Sequence, residues 1–347
     1  MPRRGDTGAA VAEVRARLAH LGYLNSALGD QFDDALDTAV RTFQQERGLT
    51  VDGIVGNDTF RRLDEARWRL GDRVLRFLPG HLMTGDDVSE LQKRLNQLGF
   101  DAGRPDGAFG PDTDAAVREF QRSVGEAADG TCGPETFRSF ERLVRTVSGG
   151  NAARLRDPLA VTALQTGIAD KVVVIDPGFV EDDPEANAIA QAIATRVEGR
   201  LAALGTQVFL TRSVESSLPT DTSRADFANR SSADLMVSIH CDRTDSPLPN
   251  GIATYYFGEP DDGVYSYAGR ALAEQLQVEL CARTRMHNNR SHARTWDLLR
   301  MTRMPVVRVD IGYLSNPHDA ARLIDADHQD LLAAGVAAAI SRFCMPI

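Results

Sequence analysis

The sequence predicts a multidomain chain in which two small three-helix, all-α repeats are followed by an α/β domain with a mainly parallel sheet. Two observations predict this fold class. Apolar and glycine positions of the first half recur without a gap, and the second half alternates β-branched runs with helical stripes. The expected domains are a first repeat over residues 1–70, a second over 71–147, a linker over 148–170 and the α/β domain over 171–347.

The duplication rests on a constant offset of 77 residues, which takes Val11 to Val88. Each unit opens with apolar residues at helical spacing and closes its first helix at a glycine. A second helix, an Asp-Gly turn and a third helix are expected to follow. The second helix should begin near Asp34 or Pro111, the turn should lie at 52–53 or 129–130, and the third helix should begin near Asn57 or Pro134.

The second unit reads "LQKRLNQLGF…DGAFGPDTDAAVREFQRSVG…ADGTCGPETF". Both units resemble the peptidoglycan-binding domain type 1 family, a small three-helix module, over about residues 8–65 and 85–142. The resemblance implies a wall-binding role. The second unit keeps Pro105-Asp106-Gly107, whereas the first has Gly29-Asp30-Gln31 at the matching turn.

After the polar break Ser148-Gly149-Gly150-Asn151, the pattern changes from Lys171 onward. The run Val172-Val173-Val174-Ile175 is typical of a strand buried on both faces of a sheet. Strands that alternate with helices predict a layered α/β domain. Further strands are expected at 208–210, 235–237, 252–257 and 306–309, and helices at about 188–204, 221–231, 264–284 and 329–343.

Charge and composition exclude several classes of function. A net charge of −10 argues against nucleic acid or an anionic membrane as the main partner, since both attract clustered cations. No stretch approaches the roughly 18 apolar residues of a transmembrane helix, and no apolar leader follows Arg3 and Arg4, so a cytoplasmic location is predicted. Free thiols are predicted at the four scattered cysteines, Cys132, Cys241, Cys281 and Cys344.

The second half contains "VVVIDPG", "VFLTR", "FANRSSADLMVSIH", "NGIATYYF" and "MPVVRVDIGYLSNP", in that order. These stretches resemble the zinc-dependent N-acetylmuramoyl-L-alanine amidase family called amidase 3. The resemblance implies a zinc held by His, Glu and His, with a further Glu as general base. Such a site keeps three protein ligands and an open position for a water whose pKa falls to about 7.

Residue by residue, the match to that zinc site is incomplete. Phe179 stands at the first His position, and a phenyl ring has no lone pair for a metal. Glu185 is the candidate for the second ligand, although the helical stripe places the ligand position at Ala186. His240 matches the third ligand, and Asp310 matches the general base with a side chain one methylene shorter. The sequence therefore predicts a vestigial pocket with no catalytic residues, no metal and no cofactor, because two of three ligands are lost.

The remaining polar residues have simpler interpretations. His240 without partner ligands is expected to be a hydrogen-bonded pocket residue, and Trp296 is expected to pack at a domain edge. The Arg-rich run 283–303 is expected to be a solvated face, with an anion- or partner-binding role as its alternative. Surface positions are expected for His287, His292, His318 and His328.

Two repeats, a degenerate amidase domain and "TWDLLRMTRMPVVRVDIGYLSNPHD" together resemble one actinobacterial group of proteins. That resemblance implies a non-enzymatic cytoplasmic regulator of peptidoglycan precursor synthesis. Its protein partner would be the UDP-N-acetylglucosamine enolpyruvyl transferase, under the control of a Ser/Thr kinase. An active zinc-dependent amidase that cleaves the muramic acid–L-alanine bond is the alternative. A third is a sensor whose ligand is a soluble muropeptide or a lipid-linked precursor.

Overall fold

A computed structural model describes residues 1–144, 161–162, 164–180, 183–212, 220–258 and 265–346. The chain forms two compact units, one built from the helical repeats and the other from the α/β domain. The predicted linker 148–170 lies largely outside the described residues. Within it, residues 161–162 and 164 are helical, and Leu164 packs into the core of the α/β domain.

The first repeat consists of α1 (Ala9–His20), α2 (Asp34–Glu46) and α3 (Asn57–Glu65). The second consists of α4 (Asp86–Gln97), α5 (Pro111–Val124) and α6 (Pro134–Val144). All four predicted helix starts are confirmed, and local chemistry explains them. Asp33 caps α2 by accepting a hydrogen bond from the Leu36 amide, and Pro111 opens α5, where no amide donor is needed.

The duplication extends to main-chain pairing. An antiparallel bridge joins Thr7 to Gln31 in the first repeat, and the bridge between Thr84 and Ala108 repeats it at the same offset. The apolar positions that predicted the repeats form their cores, as shown by Leu18 and Phe43 in the first and by Leu95 and Phe120 in the second, all fully buried.

The α/β domain is a six-stranded sheet with the order β2-β1-β3-β6-β4-β5. Strands β1, β2, β3 and β6 are parallel, β4 is antiparallel to β6, and β5 is parallel to β4. The predicted mainly parallel sheet is therefore confirmed. The strands are β1 (Val172–Pro177), β2 (Gln207–Leu210), β3 (Leu235–Asp242), β4 (Ile252–Phe257), β5 (Asn288–Arg294) and β6 (Val306–Tyr313).

Two faces of this sheet differ in chemistry. One face carries apolar side chains such as Val237 and Val309 and packs against α7 (Pro184–Ala202), α9 (Tyr267–Thr284) and α12 (Ala326–Phe343). The other carries polar side chains and contacts α8 (Asp221–Arg230) and α10 (Asp297–Met301). The remaining helix, α11 (Pro317–Ile324), follows β6.

Several sequence-based expectations about secondary structure and burial need correction. β5 and α10 lie inside the Arg-rich run 283–303. Four of its six arginines are exposed, as expected of a solvated face, whereas Arg294 is half-buried and Arg300 is buried. His292, expected at the surface, lies half-buried in β5, where its Nε2 is 2.6 Å from the carbonyl oxygen of Asn289. His328 is buried at the start of α12, with its Nε2 3.4 Å from the sulfur of Met286. Both histidines were predicted at the surface because their neighbours in the sequence are polar. Their burial results from packing in the folded domain, which those neighbours do not indicate.

All four cysteines are free thiols. Cys241 follows His240 on β3, and its side chain belongs to the apolar core, on the opposite face from His240. Among the described residues, no helix is both long and apolar enough to cross a membrane.

Candidate functional site

Polar side chains gather at the carboxyl ends of the central parallel strands. His240 of β3 and Asp310 of β6 face each other as register partners. Phe179 comes directly after Gly178, the residue that follows β1, and Glu185 lies in the first turn of α7. The structure thus brings His240 and Asp310 together, as the resemblance implied, because parallel strands end at the same edge of a sheet.

A buried chain of hydrogen bonds fixes the His240 ring. Its Nε2 is 2.8 Å from Oγ of Ser238, and that hydroxyl donates to Oδ2 of Asp176 at 2.5 Å. A hydroxyl has one proton, which Ser238 gives to the carboxylate, so it must accept the second bond from Nε2–H. Neutral His240 therefore carries its proton on Nε2 and keeps the lone pair on Nδ1.

Asp176 is the hub of this network. Besides Ser238, it accepts hydrogen bonds from Nη1 of Arg224 at 2.6 Å and from the hydroxyl of Thr211. Asp176 and Ser238 are fully buried. Because its proton is committed to a carboxylate and solvent does not reach it, Ser238 is not placed as a nucleophile for His240 to activate.

His240 is 4% exposed, and burial lowers the pKa of its imidazole well below the ordinary value, with Arg308, Arg224 and Arg212 adding to the effect. The ring lies directly against Gly178, where a Cβ atom would come within 2.5 Å of it. The site therefore holds a neutral imidazole in a cationic surrounding.

Asp310 is paired with an arginine on its own strand. Nε of Arg308 donates to Oδ1 of Asp310 at 2.7 Å, and the Asp310 side chain is 3% exposed. Burial raises the pKa of the Asp310 carboxyl, while the Arg308 guanidinium opposes that rise. Asp310 thus has its negative charge balanced inside the protein.

Glu185 and Phe179 take other partners. Arg243 donates to Oε2 of Glu185 at 3.0 Å and to Oδ2 of Asp183 at 2.7 Å, and the Glu185 side chain is half exposed. Ala186, the position that the helical stripe assigned to the second ligand, is buried in the apolar core. The ring of Phe179 lies 5.9 Å from the Arg212 guanidinium.

Arg212 lies at the same edge of the sheet. It donates to the carbonyl oxygens of Pro177, Gly178 and Asn187 at 3.0, 3.1 and 3.2 Å. These bonds hold the backbone after β1 against the start of α7. Burial lowers the pKa of this guanidinium, and the Asp176 charge opposes that effect.

The zinc ion that the amidase resemblance implies can be tested against these side chains. Catalytic zinc needs three donors from His, Cys, Asp or Glu. Within the described part of the chain, no three such residues come together in a way that could hold a metal ion. His240 directs Nε2 to Ser238, Asp310 is bound by Arg308, and Glu185 is bound by Arg243. These residues do not fit a zinc ion in this arrangement, and the loss of the site stays a prediction.

An aromatic and cationic cluster continues along the polar face of the sheet. The rings of Tyr255 and Trp296 lie 4.7 Å apart between centroids, and Arg308 lies 4.7 Å over the Trp296 ring. Arg294 approaches Tyr255 at 5.6 Å. Trp296 therefore packs beside the site.

Sequence reasoning missed most of the polar residues around His240. Arg308 had a local signal, since a lone arginine two residues before Asp310 must share its face of the strand. Arg224 had none, because it reaches Asp176 from a helix 48 residues away. Ser238 and Asp176 stood inside the quoted motifs but were assigned no role.

Comparison with known proteins identifies both parts of the chain. Residues 173–342 match the family model described as N-acetylmuramoyl-L-alanine amidase. Residues 7–63 and 84–139 match that of a peptidoglycan binding domain. The two resemblances predicted from sequence motifs are therefore confirmed.

Individual relatives are similar to different shares of the chain. The chain is 45% identical to the N-acetylmuramoyl-L-alanine amidase CwlM of Mycobacterium tuberculosis over 363 residues, which cover 98% of this chain and 88% of the relative. The amidase LytC of Bacillus subtilis is 30% identical over 181 residues, which cover 50% of this chain and 35% of the relative. Among solved structures, the catalytic domain of the amidase CwlV from Bacillus (Paenibacillus) polymyxa is 30% identical with a TM-score of 0.45, covering 50% of this chain and 97% of that one.

These findings correct one sequence-based expectation. The chain was predicted not to be an enzyme. The family model and the relative that spans 98% of the chain both have the name N-acetylmuramoyl-L-alanine amidase, and that name points to an enzyme. The prediction that the chain is not an enzyme is therefore wrong, and the amidase alternative is better supported by the comparisons.

Proposed function

This chain belongs to the family of the N-acetylmuramoyl-L-alanine amidase CwlM. From that premise we propose that it binds, and acts on, the amide bond between N-acetylmuramic acid and L-alanine. The carrying observation is the 45% identity along 98% of the chain to a relative of that name. The two peptidoglycan binding repeats support it, because they would hold the glycan while the α/β domain engages the peptide stem. Hydrolysis of that amide is the activity that the relatives' names favour.

The chain's own residues suggest where the amide would lie. His240 offers an unprotonated Nδ1 beside Asp310, at the carboxyl end of the sheet where α/β folds bind ligands. A neutral imidazole can accept a hydrogen bond or a proton at that atom. No step is assigned to a metal, since the described side chains do not fit one.

The test uses the full chain and a soluble N-acetylmuramoyl-pentapeptide. Chromatography would follow release of a peptide with a new L-alanine amino terminus, calorimetry would follow binding, and metal analysis would be made on the same preparation. We expect release that falls about 100-fold in His240→Ala, the size of effect typical of a lost acid–base group, and weaker binding by the same variant. The exposed His287→Ala is the matched control. The proposal would be refuted if the wild-type chain neither bound this compound nor released the peptide from it.

Regulation of peptidoglycan precursor synthesis is a second candidate, favoured by a specific observation. Asp310 and Glu185 are both satisfied by arginines of the same chain, which supports a binding role for this domain. The partner implied by the sequence resemblance is the enolpyruvyl transferase in the cytoplasm, with a Ser/Thr kinase as the controlling enzyme. The rate of purified transferase, measured with and without the chain and before and after kinase treatment, tests this. An unchanged rate in all four mixtures would refute it.

A further inference from the structure

A long groove runs over the first repeat and the segment that joins it to the second. One cavity of about 720 Å³ lies between α3 and residues 66–84. A second, of about 530 Å³, lies between the amino terminus and α3. Arg61 and Asp64 line both cavities, so the two adjoin each other along α3. This groove belongs to the helical unit and goes beyond the function proposed for the α/β domain.

The floor of the groove is apolar and exposed. Phe60 and Val74 have 38% and 47% of their surface exposed. Trp68, Leu78, Leu82 and Met83 are half-buried side chains that line the larger cavity. Adjoining apolar side chains left open on a surface mark interaction sites, because a protein gains nothing from exposing them together. Such a floor suits aliphatic or aromatic side chains of a partner.

The rim of the groove is cationic. Four arginines (Arg61, Arg67, Arg73 and Arg76) and two acidic residues (Asp64 and Glu65) line the larger cavity, in a chain whose net charge is −10. Arg73 is held in place by Asp87 at 2.7 Å, and that carboxylate is buried. Arg76 is exposed, lines the larger cavity and makes no ion pair with any described residue. The rim therefore attracts negative charge, against the sign of the whole molecule.

The groove is formed by segments that the fold fixes. Leu75 exchanges main-chain hydrogen bonds with Cys132 at 3.0 and 2.8 Å, and its side chain is fully buried in the core of the second repeat. The neighbouring residues Val74 and Arg76 are thereby fixed on the groove side. Preorganised surfaces lose little entropy on binding, which favours a specific partner.

The indole of Trp68 distinguishes a peptide from a sugar. The guanidinium groups of Arg67 and Arg73 lie over its ring at 4.5 and 4.7 Å. A sugar would need an open aromatic face for stacking, and these guanidinium groups already lie over the indole ring, which leaves less of it for a sugar. Aliphatic side chains instead need a floor like that of Leu78 and Leu82, and carboxylates pair with arginine in fork geometry.

We propose that this groove binds a peptide segment of a protein partner, in which leucine- or phenylalanine-like side chains alternate with Asp or Glu. The apolar side chains would fill the floor and the carboxylates would meet the arginine rim. Tryptophan and arginine are the residues most often found at the energetic centre of such interfaces.

The test is selection of a displayed library of random 12-residue peptides on the full chain, with counter-selection on a Val74→Asp/Arg76→Glu variant. Both changes are at exposed positions, and an unchanged thermal melting curve would show that the variant folds. We expect the selected peptides to be enriched in Asp or Glu next to Leu, Ile or Phe. The leading peptide should bind at least about 10-fold more weakly to the variant, and more weakly as salt rises.

Arg138→Glu is the matched control, because Arg138 is the exposed counterpart of Arg61 in the second repeat and lies outside both cavities. It should leave the affinity of the peptide unchanged. Selected peptides that are basic, or that bind the wild-type chain and the Val74→Asp/Arg76→Glu variant equally, would overturn the proposal. So would displacement of the peptide by soluble peptidoglycan glycan fragments, since the groove would then be a saccharide site.

Discussion

Arg308 and Asp310 form an ion pair along one strand, with Nε of the arginine 2.7 Å from Oδ1 of the aspartate. The two residues are two positions apart on β6, so both side chains leave the same face of the sheet. Ser238 and Tyr255 are the register partners of Arg308 on the neighbouring strands. A buried carboxylate is thereby supplied with a cation that the protein itself provides.

Substitution of Arg308 by leucine should destabilise the α/β domain by about 3–5 kcal/mol, because it leaves the Asp310 charge buried without a partner. Chemical denaturation measures this change. Arg308→Leu/Asp310→Leu should recover much of the loss, since no uncompensated charge remains. The exposed pair of Arg270 and Glu274 offers a control, for which Arg270→Leu should cost less than about 1 kcal/mol. Equal effects of the two single variants would contradict the inference.

His240 should make the stability of the protein fall as the pH drops below about 6.5, the ordinary pKa of histidine. Its native pKa is lowered, chiefly by burial, so below that pH the unfolded chain binds a proton that the native imidazole refuses. Stability should then decrease by about 1.4 kcal/mol per pH unit until the native pKa is reached. Above pH 6.5 the imidazole is neutral in both states and has no effect.

Other groups titrate nearby, so this effect is measured as a difference between variants. His328 has a pKa lowered by burial and acts in the same direction, whereas the raised pKa of Asp310 acts in the opposite one. Denaturation of the wild type and of His240→Asn from pH 5 to 8 isolates the His240 contribution. His287→Asn, at an exposed position, is the matched control. Parallel curves of stability against pH for the wild type and His240→Asn would contradict the claim that His240 contributes to the loss of stability at low pH.

Gly178→Ala should disturb the site, because a Cβ atom at that position would lie 2.5 Å from the His240 ring. We expect a loss of about 1–3 kcal/mol, the usual cost of overpacking a buried contact. Gly199→Ala is the matched control, since nothing lies within 4 Å of a Cβ atom there and the residue is inside α7. That control should be neutral or stabilising by up to about 1 kcal/mol. If Gly178→Ala left the stability of the protein unchanged, the His240 ring would have to be free to move away from the new methyl group.

The repeats were predictable because their signals are local. Helix starts are set by capping residues such as Asp33 and by proline at the first helical position, and both are visible in the sequence. β5 was missed for the opposite reason. Asn288–Arg294 is polar except for Ala293 and forms an edge strand, so it is stabilised by hydrogen bonds to β4 and not by an apolar pattern of its own.

In the candidate site too, the motif residues were predictable from the sequence, whereas their ion-pair partners were not. The amidase resemblance assigned His240 and Asp310 to one pocket, and the structure makes them register partners on neighbouring parallel strands. The ion pairs that satisfy those side chains could not be read from motifs. Arg243 binds Glu185 from 58 residues away and Arg224 reaches Asp176 from 48, so these contacts depend on the tertiary fold.

Each repeat contains a buried glutamine that contacts its Asp-Gly turn. Oε1 of Gln44 accepts a hydrogen bond from the Gly53 amide at 2.9 Å, and its Nε2 donates to Oδ1 of Asp52 at 2.8 Å. Gln121 makes the same contacts to Gly130 and Asp129 at 3.0 Å each. Each glutamine thus clamps the Asp-Gly turn that precedes the third helix of its repeat.

Replacing Gln44 or Gln121 by leucine should destabilise the helical unit by about 1–3 kcal/mol, since the turn loses its partners while the glycine amide stays buried. The two variants should have similar effects, because the contacts are repeated at the offset that first revealed the duplication. Thermal denaturation followed by circular dichroism measures both. Gln45→Leu, at the exposed position next to Gln44, should change stability by less than about 0.5 kcal/mol. A large loss in one repeat and none in the other would show that the clamp is not shared, and that the two units have diverged in what holds their turns.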